Sequence, residues 1–136
     1  MRVPLSTILF LILASDLMAY DIIISRGERY SETFKSISIS EWRSIIIKHP
    51  ELKEQNYAVA INPNTNEEIR IETPGSAVFS FKKKKLFKTI ISETYLVYNE
   101  KGYLSFKYTT DNETDALRVV AKWLNAELYG EEGDSI

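Results

Sequence analysis

The sequence predicts an α+β domain: a mostly antiparallel sheet of five to seven strands with two helices packed on one face. Three observations predict it. The β-branched run Ile22-Ile23-Ile24 is bounded by Asp21 and by Ser25-Arg26-Gly27. Two stretches carry apolar residues at helical spacing behind capping side chains. Between them the chain alternates apolar and polar residues around clusters of turn formers, the pattern of antiparallel hairpins.

Residues 20–25 read as a strand buried on both faces, because an unbroken β-branched centre suits the interior of a sheet. Residues 26–36 are polar and read as a loop. Ser38 and Glu41 then form a capping box, in which the serine oxygen accepts from an early helical N–H and the glutamate reaches back to the Ser38 N–H. The helix is expected over 39–48, with Ile39, Trp42, Ile45 and Ile46 on one face. His49-Pro50 stops it, since a proline disfavours helix in the residue before it.

Residues 57–61 and 67–73 flank the turn Asn62-Pro63-Asn64-Thr65-Asn66 and are expected to form a hairpin. After Pro74-Gly75, residues 77–81 give a third short strand, and 86–91 offer another. Residues 95–98 and 103–108 flank Asn99-Glu100-Lys101-Gly102, where the glycine can take the positive φ a tight connection needs. Thr110 or Asp111 caps a second helix running to about Leu124, with Leu117, Val120, Ala121 and Leu124 as its stripe, Trp123 at the border and Asn125 as a left-handed stop. A last edge strand is expected over 126–129, followed by an acidic tail.

The segment ahead of Tyr20 has a different character. Arg2 precedes an apolar run over 5–14 that is too short to cross ~30 Å of hydrocarbon but suits the core of a signal peptide. Cleavage after Ala19 would put Leu17 where a small residue is usual; the alternative is that translation starts at Met18. Both readings separate 1–17, a signal-like or spurious extension, from a single α+β domain over 18–136. A start at Met18 implies the cytoplasm, and cleavage near Ala19 a periplasmic or secreted protein.

With 136 residues, 44% of them hydrophobic and 26% charged, one core is expected. The formal net charge of −2 gives no basic excess for phosphate, so nucleic acid is not an expected partner. No cysteine is present, which excludes disulfides, thiolate zinc sites and a cysteine nucleophile. His49, the one histidine, sits where an imidazole caps a helix end, and reads as a cap rather than a general base. No nucleophile elbow, dinucleotide fingerprint or P-loop occurs. Glu131, Glu132 and Asp134 lack the twelve-residue calcium-loop pattern and read as a solvated tail. Lys82, Lys83, Lys84 and Lys85 are expected in a loop, flanked by Phe81 and Phe87 as core anchors. Trp42 and Trp123 read as core packing, and Asn112-Glu113-Thr114 matches a glycosylation acceptor too short to weigh.

Several of these segments, taken in order, resemble a family of small bacterial proteins found beside secreted polymorphic toxins. The resemblance rests on Tyr20-Asp21-Ile22-Ile23-Ile24-Ser25-Arg26, Ile37-Ser38-Ile39-Ser40-Glu41-Trp42, Pro50-Glu51-Leu52, and Ala126-Glu127-Leu128-Tyr129-Gly130-Glu131-Glu132-Gly133-Asp134. Such relatives start one or two residues before the Tyr-Asp pair, which favours Met18. They carry Asp where this chain has His49 and Glu131, and an aromatic residue where it has Ile136. The resemblance implies an immunity protein, one that neutralises a cognate toxin by stoichiometric binding, with no catalytic residue, cofactor or metal. The candidate contact residues are Lys82, Lys83, Lys84 and Lys85 and, at the other end, Glu131, Glu132 and Asp134. A small-ligand carrier or a periplasmic binding module stays open as the alternative, and a hydrolytic enzyme comes last.

Overall fold

The computed structural model describes residues 11–13, 21–28, 31–107 and 111–130. Strands β1 (Leu11–Leu13) and β2 (Asp21–Ser25) precede helix α1 (Ile39–Lys48). Six strands follow: β3 (Leu52–Glu54), β4 (Tyr57–Ile61), β5 (Glu68–Glu72), β6 (Ala77–Lys85), β7 (Lys88–Asn99) and β8 (Tyr103–Lys107). Helix α2 (Asp111–Trp123) and strand β9 (Glu127–Tyr129) close the described chain. The main sheet is six-stranded in the order β3-β6-β7-β8-β2-β9, every neighbouring pair antiparallel. A second sheet, β1-β4-β5, pairs β1 parallel and β5 antiparallel to β4, so three residues of the N-terminal apolar run lie in a strand.

Strand alternation divides the main sheet into two faces. Ile22 and Ile24 of β2, Leu104 and Phe106 of β8, Leu96 of β7, and Ala77, Phe79 and Phe81 of β6 point one way. Both helices cover that face, α1 through Trp42 and Ile46 and α2 through Leu117, Val120 and Ala121, with Leu124 just past its end, all of them buried. On the opposite face Val78 and Tyr95 pack against Ala58 of β4. The Tyr95 hydroxyl lies 3.0 Å from the Gln55 carbonyl and 2.9 Å from that of Tyr57, and hydrogen-bonds the Thr73 hydroxyl, tying the second sheet to β7. Burial raises the Tyr95 pKa, so the phenol stays protonated as this set requires.

The helix boundaries follow from the residues that cap them. Ser38 is extended, and its hydroxyl accepts from the Glu41 N–H at 3.1 Å. His49 leaves the helical region before Pro50, as a pre-proline residue must. Ser38→Ala is therefore expected to cost about 0.5–2 kcal/mol in a urea titration; an unchanged midpoint would mean that Arg26, described below, holds this end alone. At its C-terminus α2 stops where Asn125 takes φ 52. Neither Thr110 nor the Asp111 side chain, the expected caps of α2, is among what the structure describes. Gly102 takes φ 100 in the β7–β8 connection, and its carbonyl accepts from the Ile37 N–H at 2.9 Å. A Cβ there would stand 2.4 Å from that of Ser36.

The structure corrects the reading of residues 77–98. Short strands over 77–81, 86–91 and 95–98 were expected, with the lysines in a loop between the first two, whereas β6 and β7 form one long hairpin paired from Ala77↔Leu96 to Lys85↔Lys88. Lys82, Lys83, Lys84 and Lys85 thus lie in a strand. Four like charges give no alternation to read, and β-branched residues of the facing strand supply the pairing instead. The connecting turn is Leu86-Phe87, so Phe87 is no core anchor: it is fully exposed, while Phe81 is buried. Strand β3, only three residues long, was not expected.

Candidate functional site

Beyond Ser80 the β6–β7 hairpin leaves the body of the sheet. On the β6 side β3 pairs only with residues 77–79, and on the β7 side β8 pairs with residues 97–99. The five residues from Phe81 to Lys85 carry the ribbon about 17 Å further at ~3.3 Å each. From Lys84 to Ile91 every side chain is exposed. Five of the 17 basic side chains, Lys82, Lys83, Lys84, Lys85 and Lys88, lie on this arm with no acidic residue among them. The other 12 stand against all 19 acidic side chains, so a formal −7 sits elsewhere in the chain. Lys83 reaches Glu113 of α2 at 4.0 Å; the other four make no ion pair among the described residues.

The tip of the arm departs from what a hairpin alone would select. A two-residue turn with positive φ at its first position normally takes glycine there. Here that residue is Leu86, at φ 54, a conformation that costs a non-glycine residue about 1–2 kcal/mol. Leu86 is 95% exposed and Phe87 103%. Two large apolar side chains are held in water at a strained turn, between Lys85 and Lys88, where folding gains nothing from them.

At the base of the arm a groove of about 530 Å³ opens between β6 and α2. Phe79, Phe81, Ala116, Val119 and Trp123 line it, Pro50 and Glu51 adjoin it, and Lys82 and Ile91, paired on the other face of the ribbon, border its arm end. Trp123 is half-buried: its ring stacks on His49 at 3.6 Å between centroids and meets Phe79 edge-on at 6.2 Å. His49 is thus both the end of α1 and the platform that sets the Trp123 indole. Of the two tryptophans read as core, Trp42 is fully buried and Trp123 forms a groove wall.

The far side of the domain is organised by Arg26. Its guanidinium hydrogen-bonds both Glu41 oxygens in a fork, Nη1 at 3.1 Å from Oε1, while its Nε donates to the Leu124 carbonyl at 2.8 Å. One side chain thereby joins the start of α1 to the end of α2 and satisfies a terminal carbonyl of α2. Hydrogen bonds from Arg26 hold the Glu41 carboxyl below the ordinary carboxylate range, against the opposing effect of burial, and the Arg26 charge and the Ser38 N–H add to the lowering. This arrangement is structural.

The arm carries the lysine half of the expected contact set. Glu131, Glu132 and Asp134 lie outside the described residues. Leu86, Phe87, Ile91 and Val119 were not singled out from the sequence. The Leu-Phe dipeptide lacks any turn signal, and Val119 stands off the stripe of its helix. Among the described residues no cluster of three or more histidine, aspartate or glutamate side chains is placed to hold a metal ion, and no helix is long and apolar enough to cross a membrane. Comparison with family models, with curated proteins and with solved structures returns no match for the chain.

Proposed function

We propose that this chain is a stoichiometric protein-binding module of the immunity type, which neutralises a bacterial toxin by docking the β6–β7 arm against it. One observation carries the reading: the strained Leu86-Phe87 tip, fully exposed among lysines. Binding hot spots are side chains, aromatic ones prominent among them, that become fully desolvated in a partner's pocket, and the tip supplies the exposed Phe87 ring with Leu86 beside it, flanked by Lys85 and Lys88. The lysines steer an acidic partner toward it. The sequence resemblance supplies the class of partner. A small-ligand carrier is the second reading, favoured by a groove volume in the range of ligand pockets. It leaves the tip without a role.

The test is co-expression with candidate toxins drawn from the neighbouring genes. Wild type is expected to protect cells. A variant with Lys82, Lys83, Lys84 and Lys85 all changed to Glu is expected to associate more slowly and protect less, with the difference shrinking as salt is raised. Equal protection by both proteins would move the contact surface away from the arm. Protection by neither, with no complex formed, would sink the reading.

A further inference from the structure

The hairpin's own hydrogen bonds leave one edge of the arm open. The Ser80 N–H donates to the Glu51 carbonyl at 2.8 Å, so Ser80 turns its backbone groups toward β3. The β6–β7 ladder runs without a bulge to Lys85↔Lys88, and along a strand these groups point alternately to either side. Lys82 and Lys84 therefore send their N–H and C=O the way of Ser80, while those of Phe81, Lys83 and Lys85 meet β7. Strand β3 cannot follow, because Pro50 has no N–H and the chain before it comes from α1. Among the described residues nothing pairs this edge beyond Ser80. Resting on the protein-binding reading, we infer that the partner adds an extended segment to this edge, a strand lying beside residues 82–85 with carboxylates opposite Lys82 and Lys84.

In such strand addition the main chain supplies affinity and the side chains supply choice. The open edge offers donors and acceptors in alternation, at the spacing of a second polypeptide; the phosphates of a bilayer or a nucleic acid accept but do not donate. The side chains then set the sign of the segment. Glu51 and Glu93 stand opposite Ser80, so the positive stretch begins at Lys82 and carboxylates fit beside residues 82–85 and no lower. A second copy of this chain is a poor occupant. Its own β6 edge would bring lysine opposite lysine, the arrangement that keeps exposed edges apart. Its strand β5, which edges the second sheet, carries Glu68, Arg70 and Glu72 on one face. Within β5 that spacing puts Arg70 opposite one of the two lysines whenever a glutamate meets the other.

Amide hydrogen exchange reads this geometry residue by residue. The full chain would be saturated with a synthetic peptide of alternating glutamate and threonine, and separately with its counterpart bearing lysine for glutamate. The glutamate peptide is expected to slow exchange at the Lys82 and Lys84 amides about tenfold or more and to leave Lys83 and Lys85, already bonded to β7, unchanged. The lysine peptide is expected to slow neither. Lys84→Pro removes an outward N–H and no bond of the hairpin, and is expected to weaken the glutamate peptide about tenfold; Lys84→Ala, which loses the same charge but keeps the N–H, about threefold. Lys83 and Ile90 amide shifts that match wild type report an intact hairpin in each variant, and the wild-type exchange pattern decides the question even where the proline variant does not fold. Protection of all four amides alike, or of none, would overturn the inference, as would equal responses to the two peptides or equal losses in the two variants. The same alternation arising in the free chain as its concentration is raised, or with phosphatidylglycerol vesicles or a DNA duplex, would also overturn it. The two readings fail separately. A toxin complex that forms and protects cells while the Lys82 and Lys84 amides exchange freely removes the added strand and leaves the immunity function standing; alternating protection by the peptide without any toxin protection does the reverse.

Discussion

Replacing Trp42 with alanine is expected to cost about 3–5 kcal/mol, enough to bring a domain of ordinary stability close to unfolding. The indole is completely buried between α1 and the sheet, so its removal opens a cavity that close-packed neighbours fill only in part. Its Nε1 also donates to the Gly75 carbonyl at 2.7 Å. That carbonyl sits at a φ of 82, and a Cβ on Gly75 would stand 2.9 Å from Ile39 Cδ1, so the chain passes close under α1 to receive the bond. Truncation leaves the carbonyl buried and unpaired in addition to the cavity. Trp42→Phe keeps most of the volume and loses the hydrogen bond, and is expected to cost clearly less. A urea titration followed by far-ultraviolet dichroism separates the two. A neutral Trp42→Ala would mean that the indole is not a core element.

At the arm's tip, stability and binding are expected to move in opposite directions. Leu86→Gly with Phe87→Ser relieves the strain at φ 54 and removes two exposed apolar groups, so the unfolding midpoint should hold or rise slightly. If the tip is the hot spot, toxin affinity should fall about 30-fold or more, the equivalent of about 2 kcal/mol. Thermal unfolding and a titration against the toxin, run on the same sample, read both. A core residue would lose stability along with binding, and an idle surface loop would lose neither. Unchanged affinity in the double variant would remove the tip from the interface.

Local signals gave most of the elements. Helix α1 runs over the residues that Ser38 and Pro50 bracket, because a cap hydroxyl and a pre-proline residue act on their nearest neighbours. Asn125 and Gly102 stand at positive φ for the same reason. The buried strand at 21–25 was legible because Ile22, Ile23 and Ile24 leave no polar face. Strand was legible at 77–81, 86–91 and 95–98, but not that these join through the lysines into one hairpin. Phe81 and Phe87 are the same residue six positions apart, and only one of them has α2 above it.

By itself the sequence determined the α+β class, both helices and their buried faces, the turn glycine at 102 and the left-handed stop at 125. All of these depend on chemistry within one or two turns of chain. Only the tertiary structure decided that the lysine run is strand, that Leu86-Phe87 stands in solvent, and that Phe81, Val119 and Trp123 share a groove. Each of these depends on which distant segment lies alongside: β7 against β6, α2 across Phe79 and Phe81, and no described element beyond Lys83 to cover the end of the arm. Burial is a property of the pair of surfaces that meet, so an apolar residue in the sequence does not reveal whether it will be covered by its own chain or left for a partner.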